Sequence, residues 1–142
     1  NIANYPFEDM WLGSSDGGLT ACTSGTVADQ STDASGNTFW AAPLGAGGST
    51  SSAADLTVVL INGAPLAAGN EVPLAHVSAD ITGDRIVNLS DVQAFSADFF
   101  GGVYVFRSDL AFDANVNLSD VVPLAQGFGA ECPLECPDFF RV

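Results

Sequence analysis

Two stretches of this chain carry oxygen-bearing side chains at matching intervals. Residues 80–91 read Asp-Ile-Thr-Gly-Asp-Arg-Ile-Val-Asn-Leu-Ser-Asp, and residues 109–120, 29 positions later, read Asp-Leu-Ala-Phe-Asp-Ala-Asn-Val-Asn-Leu-Ser-Asp. Carboxylate or amide oxygens stand at loop positions 1, 5, 9 and 12 of both copies, with a hydroxyl at position 3 of the first. A backbone that wraps a hard cation turns every second side chain inward, and a terminal carboxylate closes the shell as a helix begins. This is the spacing Ca²⁺ takes from one continuous loop. The first copy would offer Asp80, Thr82, Asp84, the Ile86 carbonyl, Asn88 and Asp91. The second would offer Asp109, Asp113, the Asn115 carbonyl, Asn117 and Asp120. Ala111 removes the position-3 ligand from the second copy, so calcium is expected at two sites, the second weaker, with water filling in. Solvated acidic turns are the bland alternative, but the coincidence would have to strike twice in register. A metal-free relic is the other alternative, more so for the second loop.

The elements that must position these loops follow directly. Ser90-Asp91 and Ser119-Asp120 read as helix starts, a capping hydroxyl with an acid in the first turn. Beyond them Val92, Phe95 and Phe99 fall on one helical face, and Val121, Leu124 and Phe128 repeat it. Pro123 is expected in the first turn of the second helix, where its missing N–H costs little. Asn88-Leu-Ser and Asn117-Leu-Ser match the N-glycosylation pattern, yet their ligand positions make a structural role the reading here.

Residues 1–78 are different in kind, rich in Gly, Ser, Thr and Ala with short apolar runs between turns. Strands are expected at Tyr5–Leu12, Leu19–Cys22, Thr38–Leu44, Leu56–Ile61 and Val72–Val77. Asp16-Gly17-Gly18, residues 33–37 and Asn62-Gly63 mark turns. Gly45–Ala54 reads as a flexible loop of small residues that could carry O-glycans.

Composition narrows the partners. Seventeen acidic residues face three arginines and no lysine among 142 residues, a net charge of −14. Such a chain has little with which to neutralise phosphates, so nucleic acid and anionic membranes are excluded as partners. With 47% apolar and 14% charged residues it forms a core rather than a disordered polyelectrolyte. No stretch approaches the roughly 20 apolar residues of a membrane span. The opening Asn1-Ile-Ala-Asn-Tyr fits a mature secreted protein or a trimmed one. Cys22, Cys132 and Cys136 allow at most one intrachain disulfide, and no zinc-type spacing accompanies them. An extracellular, secreted or surface-attached location suits both the cysteines and weak calcium loops.

The frame Asp/Asp/Asn/Asp in residues 78–130, followed by helices, resembles the dockerin domain, a tandem of loop-plus-helix units. That resemblance implies calcium binding and attachment to a cohesin-like receptor. Position 6, glycine in the dockerin pattern, is Arg85 and Ala114 here, each costing about 1 kcal/mol in a left-handed turn or distorting the loop. The receptor-reading positions 10 and 11 are Leu89-Ser90 and Leu118-Ser119, and paired leucines suggest a contact that stays buried. Earlier in the chain, Thr32-Asp-Ala-Ser-Gly-Asn-Thr-Phe-Trp-Ala-Ala-Pro-Leu and Leu56-Thr-Val-Val-Leu-Ile-Asn-Gly resemble bacterial immunoglobulin-like repeats of secreted surface proteins. Such a sandwich takes about seven strands, and five are visible, with no first strand before Tyr5.

An incomplete sandwich leaves backbone groups open. The apolar tail Cys136-Pro-Asp-Phe-Phe-Arg-Val142 is the candidate donor strand, acting in its own chain or in a neighbouring copy, where the contact would propagate head to tail. Catalysis is not expected. His76 lies in an apolar run, the cysteines are flanked by proline and acids, and Glu8-Asp9 beside Trp11 reads as a turn or strand edge. Tyr5, Trp11, Phe39 and Trp40 suit a core better than a sugar platform.

The expected fold class is mainly β with a small α module. An incomplete immunoglobulin-like β-sandwich (1–78) precedes a dockerin-like pair of calcium loop–helix units (79–130), and a Cys/Pro tail (131–142) follows. The expected function is non-catalytic self-assembly as a calcium-binding filament subunit, ahead of a dockerin-type adaptor for a cohesin-like receptor and, third, a carbohydrate-binding module.

Overall fold

The β-branched and aliphatic run Thr57–Ile61 forms β4, the central strand of a three-stranded antiparallel sheet. The computed structural model describes residues 2–15, 17–22, 26–41, 45–49, 57–66 and 75–132. On one side of β4 lies β1 (Met10–Ser14), with Met10 opposite Ile61 and Ser14 opposite Thr57. On the other lies β5 (Ala64–Pro65), joined through Asn62 and Gly63. Both of these residues have positive φ, 49° and 80°, the backbone a two-residue hairpin turn needs and the reason for Asn-Gly there. A second sheet pairs β2 (Leu19–Ala21) with β3 (Gly45–Gly47), Leu19 opposite Gly47.

The second part is helical. Helix α1 spans Leu89–Phe100 and α2 spans Leu118–Gly127, linked through a 3-10 turn at Phe106–Ser108. Phe95 and Leu124, from the expected apolar faces, are buried together with Ile81, Val87 and Leu110. Val92, Phe99, Ala79 and Val116 pack around them, so this half has its own core. Two small antiparallel sheets followed by two helices are consistent with a mainly β fold carrying a small α module.

Several expected boundaries shift. Tyr5–Leu12 is not one strand, because Pro6 leads into a 3-10 turn at Phe7–Asp9 and pairing starts only at Met10. Thr38–Ala41 form no strand. Instead the Trp40 indole donates to the Thr26 carbonyl at 2.8 Å and the Thr38 hydroxyl to the Gln30 carbonyl at 2.6 Å. Residues 42–44 and 72–74 lie outside the described residues. His76 and Val77 are not in a strand either, although His76 exchanges bonds with Ser49, whose amide donates to the His76 carbonyl at 2.8 Å. Gly45–Gly47, expected to be loop, is β3, because its small residues fit closely under Leu19. A Cβ on Gly45 would sit 2.2 Å from Leu19 Cδ1. Residues 50–54 and 133–142 are outside the described residues.

The helix caps also differ from expectation. The N-caps are Asn88 and Asn117, not the serines that follow, and each side chain accepts a bond from Ser90 or Ser119 while Asp91 or Asp120 closes a reciprocal capping box. Pro123 is therefore not in the first turn but inside α2, past the four free N–H groups, where it forgoes a helical hydrogen bond.

The two parts are stitched covalently. Cys22, just after β2, is disulfide-bonded to Cys132, with Cα atoms 5.4 Å apart across 110 residues of sequence. This pairing is compatible with an extracellular protein. Among the described residues no helix is long and apolar enough to cross a membrane.

Candidate metal centre

Loop one is organised around two carboxylates that the fold removes from water. Asp80 is 5% exposed and Asp91 is wholly buried. Asp80 accepts amide bonds from Gly83 at 2.8 Å, Asp84 at 3.1 Å and Arg85 at 2.6 Å. Asp91 accepts from the Thr82 amide at 2.9 Å, the Thr82 hydroxyl at 3.0 Å and the Asn88 amide at 2.8 Å. The chain can turn this tightly because Gly83 and Arg85 both take left-handed backbone, φ 72° and 76°. The position-6 strain expected from Arg85 is thus present as strain, not as a distorted loop.

Asp80, Asp84 and Asp91 each bring one oxygen within 4.8 Å of the others. Burial pushes the Asp80 carboxyl above its ordinary range and the charge of Asp91 adds to this, against the pull of the Arg85 amide and its neighbours. Arg85 does not neutralise the cluster, since its Nε donates to the Ala21 carbonyl at 3.3 Å. Three convergent carboxylates, two of them buried, with a hydroxyl between them, form an all-oxygen donor set. This cluster could hold a metal ion.

Loop two repeats four of these amide bonds 29 residues on. The Asp113 and Ala114 amides donate to Asp109 at 3.0 and 2.9 Å, and the Ala111 and Asn117 amides donate to Asp120 at 2.9 and 2.7 Å. Asp109 and Asp120 are buried like their counterparts. Phe112 and Ala114 take the left-handed positions, φ 56° and 64°. Convergence is where the copies part. The Asp113 carboxylate is bonded by the Asn117 amide group at 3.1 Å and the Ser119 hydroxyl at 2.9 Å, which hold it below the ordinary carboxylate range. Ala111 supplies no counterpart to the Thr82 hydroxyl.

The remaining expected ligands have other partners here. Asn88 Oδ1 caps α1 by accepting from Ser90 at 2.8 Å, and its Nδ2 donates to the Ile86 carbonyl at 3.0 Å. Asn117 Oδ1 accepts from Ser119 at 2.7 Å, and Asn115 Nδ2 donates to the Asp113 carbonyl at 3.0 Å.

Loop one is also the docking point between the two halves. The Gly47 amide donates to the Asp80 carbonyl at 2.7 Å, Gly83 lies against Thr20, and the Cys132 amide donates to the Arg85 carbonyl at 2.8 Å. Its exit is held by Val87, whose amide donates to the Ala130 carbonyl at 2.9 Å. No family model, curated protein or solved structure matches this chain.

Two groups escaped the sequence reading. Tyr104 donates its hydroxyl to Asp109 at 2.8 Å from outside the repeated frame, and burial with that bond pushes the phenol up to about 12. Arg107 forms a two-pronged ion pair with Asp98, at 2.9 and 3.0 Å, to which the Ser108 hydroxyl adds a bond of 2.6 Å. Neither carries a motif, because each is set by the path between α1 and loop two. Of the residues weighed for catalysis, His76 lies 3.5 Å from the Ser49 hydroxyl, and Ser49 is wholly buried.

Proposed function

We propose that this chain is a secreted, non-catalytic, calcium-stabilised assembly protein. An immunoglobulin-like β part is locked to a dockerin-like module through the first of two calcium loops. The observation that carries this reading is the convergence of Asp80, Asp84 and Asp91 at the point where the module meets β3. Carboxylates buried together repel, and a divalent cation relieves that repulsion while fixing the loop. At loop two Asp109, Asp113, Asn115, Asn117 and Asp120 are the candidate ligands, and binding there is weaker for want of a position-3 oxygen. The first-ranked mode of assembly is head to tail, the apolar segment 137–142 of one copy adding to the β part of the next.

A second reading, an adaptor for a cohesin-like receptor, is favoured by a separate observation. Between α1 and α2 lies an open apolar groove of about 550 Å³, lined by Phe95, Phe99, Phe100, Leu118, Val121 and Phe128. Phe100 is 83% exposed, and Leu89 and Leu118 flank the two helix starts, 74% and 75% exposed.

Negative-stain microscopy with sedimentation, in calcium and in excess chelator, separates the two. Filaments in calcium that vanish when 137–142 are deleted support self-assembly. A monodisperse monomer in both conditions rejects it and favours the adaptor, whose binding should fall on Leu89→Ala with Leu118→Ala.

A further inference from the structure

The β part has an apolar cavity of its own. Met10 stands opposite Ile61 in the register of β1 and β4, and Val59, two residues before Ile61, shares that face of the sheet. Leu66 is held beside Val59 by a 3.0 Å bond from its amide to the Val59 carbonyl, and it is 47% exposed. With Tyr5 and Trp40 these residues line a cavity of about 350 Å³. Three of its donors are already committed. The Trp40 indole donates to the Thr26 carbonyl at 2.8 Å, the Thr32 hydroxyl to the Ile2 carbonyl at 2.7 Å and the Thr38 hydroxyl to the Gln30 carbonyl at 2.6 Å. A sugar would need such donors, whereas an aromatic ring needs only the apolar walls.

The rim is acidic. Thr32, Gly36 and Thr38 border the cavity, and the turn they share carries Asp33, which is exposed. Its Oδ1 accepts from the Ser35 and Asn37 amides at 2.8 and 2.9 Å, while its Oδ2 has only a long 3.4 Å bond from the Asn37 side chain. A segment of matching chemistry stands in the same chain. Ten residues follow Cys132 in the sequence, among them Pro137-Asp-Phe-Phe-Arg-Val142. Of the three arginines, Arg85 donates to the Ala21 carbonyl and Arg107 pairs with Asp98, and the third, Arg141, comes two residues after Phe139. An extended peptide sets residues two apart on one side, about 7 Å from each other. Strand β5 beside the cavity is two residues long and one of them is proline, so side chains rather than a backbone ladder must carry a contact here.

We propose that this cavity is the acceptor through which one copy of the chain holds the next: Phe139 of a second copy enters beside Trp40 and Leu66, and Arg141 of that copy meets Asp33 at the rim. This rests on the head-to-tail reading, to which it adds the place that receives the donor segment.

The test uses two disulfide-intact chains, each with half of the contact. Leu66→Asp keeps the segment and spoils the cavity, while deletion of 137–142 keeps the cavity and removes the segment. In calcium, where the wild type should sediment as polymers, each variant alone should be a monomer and an equimolar mixture should form a heterodimer. A Leu66→Asp chain that polymerises like wild type, or a mixture that stays monomeric, overturns this acceptor and leaves head-to-tail assembly standing. A wild-type chain that is itself monomeric overturns that assembly, and this proposal with it. Should Leu66→Asp not fold, the deleted chain decides, titrated with a synthetic peptide of residues 137–142 and followed by tryptophan fluorescence. The peptide should bind, and its Phe139→Ala version should bind about 10- to 100-fold more weakly, the loss expected for one buried phenyl ring. Equal affinities, or no binding by either peptide, overturn the proposal.

Discussion

The Gly47 amide donates to the Asp80 carbonyl at 2.7 Å, so the first residue of loop one is at once a candidate cation ligand and a backbone partner of β3. Its carboxylate organises the loop while its carbonyl fastens the loop to the other half of the molecule. Order in the one is therefore order in the other, and this coupling gives the calcium reading measurable consequences.

Asp84→Asn is the cleanest probe of the first site. Asp84 is exposed, and the bond its Oδ1 accepts from Ile86 at 3.0 Å survives as an amide oxygen. Thermal unfolding in chelator should match wild type. In calcium at about a hundred times the dissociation constant, bound metal adds about 2.7 kcal/mol, most of which the variant should lose. Equal melting shifts with and without calcium would remove the metal from the argument.

Ala114→Gly should stabilise the chain by about 0.5–1 kcal/mol. Ala114 sits at φ 64°, where a Cβ is crowded and glycine is not, and the gain outweighs the extra freedom glycine has when unfolded. Chemical denaturation in chelator measures this free of any cation. Arg85→Gly is a poorer test, because it also removes the bond to Ala21.

Replacing Cys22 and Cys132 together by serine should cost up to about 5 kcal/mol, the loop-closure value for a bridge spanning 110 residues. Because the bridge ties a β part to a module with its own core, calorimetry should also split one unfolding transition into two. A single transition at the wild-type temperature would show that the halves are held by packing alone.

Asp98 sets an acid-side response. Burial alone would raise its pKa, but the bonds from Arg107 and Ser108 outweigh this and leave it below the usual 3.8. A carboxylate whose folded pKa is depressed contributes stability above its unfolded pKa, and that contribution is lost as pH falls through the folded value. Melting temperatures in chelator should thus fall more steeply for wild type than for Asp98→Asn between about pH 4 and pH 2. At neutral pH the variant should lie about 1.5–3 kcal/mol lower, the range for hydrogen bonds to a charged group. Parallel pH curves would show that the ion pair carries no such linkage.

The repeated loops were legible because their information is local. A carboxylate at position 1 and another at position 12 fold their own twelve residues, and both copies share four of these amide bonds. The Asn62-Gly63 hairpin was legible for the same reason. What escaped depends on distant partners. Trp40 looked like strand because alternating aromatics suit a sheet, yet its indole is drawn to the Thr26 carbonyl across 14 residues. Gly45–Gly47 looked like linker because nothing local distinguishes a glycine loop from a strand that needs glycine to approach Leu19. The cap was placed on serine because a hydroxyl before an acid suits either position, and only the backbone at Asn88 and Asn117 reveals which residue stands outside the helix.

The bond between Cys22 and Cys132 also fixes where mechanical load would run. A pull applied to the chain beyond Cys132 enters the β part at Cys22 through two sulfur atoms, without passing along the intervening 109 residues. The helices and both acidic loops then lie on a slack branch, off the line of tension. Subunits joined through their last residues would transmit force from sheet to sheet, and a calcium loop would keep its geometry while the polymer is stretched.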